Sequence, residues 1–411
     1  MNDMRTSASR VAVAQLGARR HYAVPLAFWR EGLLEQFFTD VYLKGIWPPV
    51  ISCAGRFLPV SGIRRLSGRR HEQLPPEKVT AVWTTRMIGK LRGPATARMD
   101  EWMATGEYFC RRILAKGLGR ADAVYAFSSA ARELLLYCRE HGLTGVLDHA
   151  TAPQGSEMKL VREEQERFPG WVCAETKSSV LEAYSRRQHE EERLASIIIC
   201  GCSFVKGMLA DTGVDRDRIK VVPLGISMPP EMPVVSHGGL NVLFVGSDGL
   251  RKGIGYLARA AKLLRSSNIH FRAVGDLGLT SQGMNEIRED IKVLGSVPRS
   301  AMREHWAWAD VLVLPSVSET FGLVVLEAMA SGLAVITTTS TCGPDVVRSG
   351  VDGFVVPPRN AEALAEKLDW MASNPALLSD MKRSARSHAG DFTLEKYGRR
   401  LAEAVRGGSN A

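Results

Sequence analysis

The sequence has no apolar run that could cross a membrane and no cysteine pattern typical of a disulfide framework. The apolar run after Arg10, residues 11–16, is far too short for a secretory signal or a span, and no other stretch approaches twenty apolar residues. The 7 cysteines form no Cys-x-x-Cys pair, and their odd number favours reduced thiols, as in the cytosol. Fixed-period repeats and low-complexity blocks are also missing. We therefore expect a globular cytoplasmic protein.

Acidic residues are scarce in the first part of the chain. Residues 1–120 hold 20 Lys and Arg against 9 Asp and Glu, a balance of +11 within a net charge of +9. Residues 41–70 contribute strongly to this excess because they contain no acidic residue. Aromatic residues alternate with arginines in this segment. The members of that pattern are Trp47, Phe57, Arg64, Arg65, Arg69 and Arg70.

This basic segment over residues 41–70 has two interpretations. It is either a solvated loop or an element that docks on an acceptor or on an anionic membrane surface. Anionic lipid attracts each exposed Lys or Arg by about 1 kcal/mol, so a handful supports reversible binding at the inner membrane face. We expect no nucleic-acid partner, because no nucleic-acid-binding motif accompanies the charge.

The length of 411 residues is too great for one hydrophobic core, and two domains are expected. Residues 227–239 hold three prolines and two glycines, a composition typical of a linker. We therefore predict a first domain over residues 1–226, a second over 240–390, and a final segment over 391–411 that contains a last helix.

Strand and helix patterns alternate along both predicted domains. In the first domain, apolar runs predict buried strands, and the highly charged stretch over residues 157–193 predicts a solvated helical pair. In the second domain, strands are predicted at residues 241–245, 269–274, 293–297, 311–314, 334–337 and 354–356. Such alternation predicts a doubly wound parallel sheet whose ligands bind beyond the carboxyl ends of the strands.

The most informative stretch is a strand–loop–helix unit with two carboxylates. The strand covers residues 311–314 and the helix residues 323–330, with Glu319 in the loop and Glu327 inside the helix. The helical neighbours of Glu327 offer no salt bridge, and a carboxylate in such surroundings costs several kcal/mol unless it accepts hydrogen bonds. A pair of ligand hydroxyls would provide them; the alternative is a partly exposed glutamate on a helix flank.

The start of this helix is also a predicted anion site. Thr320-Phe-Gly322 precedes the helix, so unpaired backbone N–H groups and the positive end of the helix dipole face the mouth of the sheet. A second loop, which runs from Val245 to Gly253 after a strand, carries Arg251 and Lys252. Two cations of this kind would stabilise charge that develops on a departing phosphate.

The two carboxylates lie in the pattern Pro-Ser-x-x-Glu-Thr-Phe-Gly-Leu-x-x-Leu-Glu-Ala-Met-Ala-Ser-Gly, which resembles the signature of the family 4 glycosyltransferases. The resemblance is strong over residues 215–385 and weak over residues 1–150. It implies the α/β fold called GT-B, in which two Rossmann-like doubly wound parallel-sheet domains face each other across a cleft. It also implies that the last helix crosses back onto the first domain.

The resemblance also assigns roles to individual residues. Glu327 would accept the ribose hydroxyls of a nucleotide, and Glu319 would meet the hydroxyls of the donor sugar. The remaining expectations concern Arg251 and Lys252 at the phosphates, His149 at the reacting sugar, Phe321, Gly322 and Leu323 as backbone N–H donors, Gly295 and Val297 beside the base, Ser247 where the family has an arginine, and Gly17 in a first loop that is glycine-rich in the family. For His149, an ordinary strand-end histidine is the alternative.

These roles imply a retaining transferase that moves a sugar from a nucleotide-diphospho-sugar to a lipid-linked or glycan acceptor. We expect no cofactor and no metal, because no His/Cys cluster has metal-ligand spacing. Two alternatives within enzymes are a phosphorylase and a sugar-nucleotide epimerase of the same fold. The third is a catalytically silent nucleotide-binding subunit.

Overall fold

A computed structural model describes residues 10–43, 69–82, 98–173, 178–231, 238–265 and 267–407, without the side chains of residues 98–100 and 178–179. Most of the predicted basic segment therefore lies outside the described residues. Two parallel sheets form the framework, which confirms the predicted fold class. Among the described helices, none is both long enough and apolar enough to span a membrane.

The first sheet has seven parallel strands in the order β3-β2-β1-β4-β5-β6-β7. Its central strands are apolar and buried on both faces, as expected for a parallel sheet covered by helices. The strands are β1 Val11–Gln15, β2 Leu34–Thr39, β3 Val79–Ala81, β4 Ala123–Phe127, β5 Thr144–Asp148, β6 Ile197–Cys200 and β7 Ile219–Val221.

The second sheet has six parallel strands in the order β10-β9-β8-β11-β12-β13. The strands are β8 Leu240–Val245, β9 Ile269–Val274, β10 Lys292–Val293, β11 Val311–Leu314, β12 Ala334–Thr338 and β13 Gly353–Val356. The strand predicted at residues 293–297 is wrong in extent, since only Lys292 and Val293 pair with β9. Gly295 adopts φ +69° and Pro298 has no N–H, so the chain leaves the sheet there.

Helices cover both faces of each sheet. In chain order they are α1 Ala23–Arg30, α2 Arg98–Lys116, α3 Arg132–His141, α4 Gln154–Arg167, α5 Ser178–Leu194, α6 Ser203–Asp211, α7 Ile254–Leu263, α8 Ser281–Arg288, α9 Met302–Trp308, α10 Leu323–Ala330, α11 Gly343–Val346, α12 Ala361–Ser373, α13 Pro375–Ala389 and α14 Leu394–Arg406. Helix α10 has the predicted bounds.

Helices α4 and α5 are not the solvated pair that their charge predicts. Glu164, Glu191 and Glu192 are at most 1% exposed. Each carboxylate has an internal partner: Glu164 accepts from Tyr256 Oη at 2.7 Å, and Glu191 accepts from the N–H of Ser129 at 2.7 Å. The prediction was wrong because these three carboxylates are neutralised inside the fold rather than by water, while other charged residues of the two helices remain exposed.

Two segments join the halves of the molecule apart from the linker. Helix α14 packs on α1, and its Leu401 and Val405 belong to the core of the first sheet. The segment after α4 follows a helix of the first half, but its Phe168 and Trp171 belong to the core around the second sheet. Contacts between the halves therefore extend well beyond the linker.

Candidate functional site

The two predicted loops of the second domain meet where the strand order of its sheet reverses. Strands β8 and β11 are neighbours, but the chain proceeds from them in opposite directions across the sheet. Ligands of open α/β sheets bind at such a position. Lys252, after β8, places its Nζ 2.6 Å from Oε2 of Glu319, after β11. The structure thus brings these two predicted residues together.

One glycine allows this close approach of the loops, and a second begins the helix that follows. Gly253 has φ +78°, and a Cβ at that position would lie 2.0 Å from the carbonyl oxygen of Pro315. Gly322 has φ +82° and precedes α10, whose N-terminus has no side-chain cap. Any side chain at Gly253 would force the β8 and β11 loops apart, and with them Lys252 and Glu319.

Arg251 lies in the same group but is committed to protein partners. Its Nη1 donates to the carbonyl oxygen of Ser318 at 2.7 Å, and its Nε donates to Oδ2 of Asp248 at 2.7 Å. The side chain is 17% exposed. Its geometry therefore fits an anchor for the Ser318 loop better than the phosphate contact that the sequence predicts.

Glu157, in the first turn of α4, also reaches this group and was not predicted. Its Oε1 lies 3.6 Å from Nη1 of Arg251 and 3.4 Å from Oγ of Ser318. Burial raises the pKa of Glu157, Arg251 opposes that change, and the Glu319 carboxylate reinforces it. No local sequence signal marks this residue, because its partners lie more than ninety positions away.

Glu327 lines a cavity of about 790 Å³ between the two halves of the chain. Its carboxylate lies 3.5 Å from Nη2 of Arg299, which in turn binds Nε2 of His21 at 3.0 Å through Nη1. Burial raises the pKa of Glu327, and Arg299 acts against that change. The volume falls within the range of small-molecule pockets. Leu323 lines the same cavity, so the N-terminal half of α10 forms part of its wall.

The first domain supplies Arg20 to the same cavity. Arg20, His21 and Tyr22 all adopt positive φ, so the chain makes a left-handed turn after β1. This turn directs the Arg20 guanidinium to Asp148 at 3.1 Å and to Oη of Tyr397 at 3.0 Å. The sequence pattern gave no indication of this arginine as a cavity residue, because three consecutive left-handed residues without glycine are rare.

The remaining predicted residues do not form one group with those described above. Phe321 is buried against Gly201 of the first domain. The N–H of Gly17 already donates to Oδ1 of Asp40 at 3.0 Å. Ser247 is exposed after β8, and Gly295 and Val297 are partly buried on the loop that leads to Arg299.

His149 does not contact the cavity in the predicted way. Its ring is fully buried, with Nδ1 2.5 Å from the carbonyl oxygen of Thr151 and Nε2 2.8 Å from Oε1 of Glu192. Both partners are hydrogen-bond acceptors, so neither ring nitrogen is left for a sugar hydroxyl. The geometry corresponds to the alternative interpretation of an ordinary strand-end histidine.

No cluster of three His, Cys, Asp or Glu side chains suited to a metal ion occurs in the part of the chain that the structure describes. The sequence contains an Asp-x-Asp motif, Asp215-Arg-Asp217, which lies just before β7. There the Asp215 carboxylate accepts the N–H of Asp217 at 3.0 Å and caps a short turn. Both aspartates are exposed.

Residues 239–374 match the family described as "Glycosyl transferases group 1". The chain is 29% identical over 245 residues to a D-inositol 3-phosphate glycosyltransferase of Pseudarthrobacter chlorophenolicus, which covers 52% of this chain and 58% of the relative. It is 25% identical over 247 residues to the putative colanic acid biosynthesis glycosyltransferase WcaL of Salmonella typhimurium, with coverages of 54% and 59%. The chain thus spans less than two thirds of either relative.

Solved structures match over nearly the whole chain. TarM superposes with a TM-score of 0.64 at 9% identity, and sucrose-phosphate synthase from Thermosynechococcus elongatus with 0.61 at 15%, each covering 97% of this chain and 98% of the other. Anabaena Alr3699/HepE in complex with UDP-glucose gives 0.59 at 14%, with coverages of 96% and 98%. At these identities the likeness shows the fold alone, which is the GT-B arrangement of two Rossmann-like domains.

Proposed function

We propose that this protein is a retaining glycosyltransferase that uses a nucleotide-diphospho-sugar as donor. The observation that carries the proposal is the position of two carboxylates around the start of α10. Glu319 lies in the loop before the helix and pairs with Lys252. Glu327 lies about one turn into the helix and faces the cavity. One extended ligand with a diol at one end and a sugar at the other satisfies both.

Each part of such a donor has a partner of suitable chemistry. The ribose hydroxyls would donate to Glu327 in place of Arg299, and charged hydrogen bonds of this kind contribute about 1.5–3 kcal/mol each. The diphosphate would meet the uncapped N-terminus of α10. Lys252 would turn from Glu319 towards the β-phosphate, and Glu319 would accept hydroxyls of the sugar.

In the proposed reaction the bond between the anomeric carbon and the β-phosphate oxygen breaks while the acceptor oxygen bonds to the same face. The acceptor proton passes to the leaving phosphate, so neither a protein nucleophile nor a metal is required. Charge on the departing phosphate would be stabilised by Lys252 and the α10 dipole. A glycan or lipid-linked acceptor is proposed, in line with the relative that is named for colanic acid biosynthesis.

The proposal predicts that a specific nucleotide sugar raises the melting temperature of the purified protein. A ligand that binds only the folded state stabilises it by about 2.7 kcal/mol at a hundred times its dissociation constant. A thermal-shift panel of UDP, GDP and ADP sugars, without added metal, measures this. Glu319→Gln should reduce the additional rise in melting temperature that the sugar gives over the bare nucleotide, whereas Glu366→Gln, at an exposed position of α12, should not. A panel without any concentration-dependent shift would refute the proposal.

A further inference from the structure

The strand order of the first sheet also reverses once, between β1 and β4. From β1 the chain proceeds through β2 to β3, whereas from β4 it proceeds through β5 and β6 to β7 in the opposite direction. Ligands of open α/β sheets bind beyond the carboxyl ends of the strands at such a position. The donor site proposed above uses residues of the second domain. The carboxyl ends of β1 and β4, which we call the β1–β4 crevice, can therefore hold a second ligand.

Two buried side chains at the β1–β4 crevice carry polar atoms without a partner. Gln15 ends β1 and is 0% exposed, and Ser128 follows β4 and is 2% exposed. The amide of Gln15 has a fixed orientation, because its Nε2 donates to the carbonyl oxygens of Gly17 and Arg19 at 2.9 and 3.2 Å. Its Oε1 and the Ser128 Oγ have no hydrogen-bond partner among the described residues. Unpaired buried polar atoms are unfavourable, so the crevice favours a ligand with hydroxyl groups.

Arg19 supplies a cation at the same crevice. Its Cζ lies 5.5 Å from the centre of the Phe127 ring, and the Cζ of Arg20 lies 6.0 Å from the same centre. Asp148 pairs with Arg20, whereas the Arg19 guanidinium has neither an ion pair nor a hydrogen bond within the part of the chain that the structure describes. Burial lowers the pKa of Arg19, and the attraction of Asp148 and Tyr184 opposes that change. One excess positive charge therefore remains at the crevice, partly shielded from water.

The β1–β4 crevice lies close to the proposed donor site. Only β5 separates β4 from β6, so the ends of β4 and β6 are about 10 Å apart at the usual spacing of parallel strands. Gly201 directly follows β6 and packs on Phe321, two residues before α10, since a Cβ at Gly201 would lie 3.1 Å from Cδ2 of Phe321. A small molecule with a hydroxyl group near the start of α10 can therefore reach the crevice with its other end.

We infer that the acceptor carries an oxyanion, a phosphate or a carboxylate, and that the Arg19 guanidinium binds it at the β1–β4 crevice. The inference rests on the proposed function, since it places the acceptor across the cleft from the donor sugar. A guanidinium binds either oxyanion through two parallel hydrogen bonds. Hydroxyl groups of the same acceptor would donate to Oε1 of Gln15. Arg19 thus determines acceptor specificity, because a neutral acceptor leaves its charge unpaired.

Isothermal titration calorimetry tests this inference with UDP, GDP or ADP, whichever the protein binds, kept at saturation so that the donor phosphate site is filled. Glucose, glucose 6-phosphate and glucuronate serve as the neutral, phosphate-bearing and carboxylate-bearing probes. At least one anionic sugar should bind about ten- to a hundredfold more tightly than glucose, because charged hydrogen bonds have this strength. The tighter of the two identifies the oxyanion.

Two outcomes separate the inference from the proposed function. Equal affinities for glucose and both anionic sugars, or no binding of any of the three, would overturn the inference and leave the proposed function standing. If none of the three nucleoside diphosphates binds, the proposed function itself fails, and the inference with it.

Arg19→Gln identifies the residue responsible, and Arg139→Gln is its matched control. Arg139 is an exposed arginine of the first domain in the last turn of α3. Arg19→Gln should abolish the preference for the anionic sugar, and Arg139→Gln should leave it unchanged. If the preference survives in Arg19→Gln, another group binds the oxyanion and the inference is wrong. If Arg19→Gln weakens the nucleoside diphosphate instead, Arg19 binds the donor phosphates and the assignment to the acceptor is wrong.

Arg19→Lys provides a second test that keeps the positive charge. It should retain a reduced preference for the anionic sugar, because an ammonium cannot form the two parallel hydrogen bonds of a guanidinium. An undiminished preference in Arg19→Lys would contradict the inference even if Arg19→Gln does not fold. Melting temperatures of all three variants establish which of them fold.

Discussion

Lys252 and Arg251 are adjacent cations with different freedom. Glu319 is the sole polar partner of the Lys252 ammonium among the described residues, so the ammonium can turn to a phosphate with the loss of one contact. Arg251 cannot do so without releasing the Ser318 carbonyl and Asp248. We therefore propose a chemical role for Lys252 and a structural role for Arg251, a distinction that their adjacency in the sequence does not make.

Lys252→Ala should lower turnover far more than it weakens donor binding. Removing one donor that stabilises developing charge typically costs about a hundred- to a thousandfold in rate. Both kcat and the dissociation constant of the donor are measured. If no acceptor is known, kcat is measured as transfer of the sugar to water. Lys262→Ala, at the exposed end of α7, is the control. Wild-type turnover in Lys252→Ala would remove the phosphate role.

Residue positions were predictable where one local unit carries them. Glu319 and Glu327 belong to a single strand–loop–helix unit, so spacing alone placed them around the start of a helix. Glu157 depends on a packing contact between distant elements, and periodicity contains no information about such a contact. The buried partner Glu192 of His149 could not be predicted for the same reason, since it lies 43 positions away on α5.

At the scale of elements, the buried strands and α10 were predictable because their apolar runs are continuous and end in turn residues. Strands β9 and β11 have the predicted bounds. Helices α4 and α5 were misjudged because composition indicates charge but not where it is neutralised. Their buried carboxylates bind arginines, tyrosines and backbone N–H groups of other elements, a tertiary effect without a sequence period.

Glu164→Ala tests whether α4 is held by its buried carboxylate. Glu164 is 0% exposed and accepts from Tyr256 Oη and from Arg359 Nε at 2.6 Å, so its loss leaves the tyrosine hydroxyl and this Nε unpaired, although Arg359 keeps its contact with Glu163. Breaking a buried ionic contact costs about 3–5 kcal/mol, whereas a partly exposed pair contributes about 1 kcal/mol or less. Urea denaturation should therefore show a large loss for Glu164→Ala and a small one for Glu163→Ala. Equal losses would contradict the account.

At the scale of the whole molecule, the cavity lies between the two halves of the chain. Gly225 and Ile226, together with Ser227, Pro229 and Pro230 of the linker, line it along with α10 and the start of α14. Ile226 also bridges to Thr393 at the point where the chain returns to the first domain. A ligand on Glu327 would thus contact both halves and the linker, and its binding energy would act on their relative arrangement.

The central claim is that Glu327 and Glu319 hold the two ends of a nucleotide sugar. Calorimetric titration of UDP or GDP, whichever the wild-type protein binds, into Glu327→Ala tests it most directly, with Glu366→Ala as the control. Because the charged hydrogen bonds to the ribose are lost, Glu327→Ala should bind the nucleotide about ten- to a hundredfold more weakly than the wild-type protein. The control should bind it with wild-type affinity. An unchanged affinity in Glu327→Ala would contradict the claim.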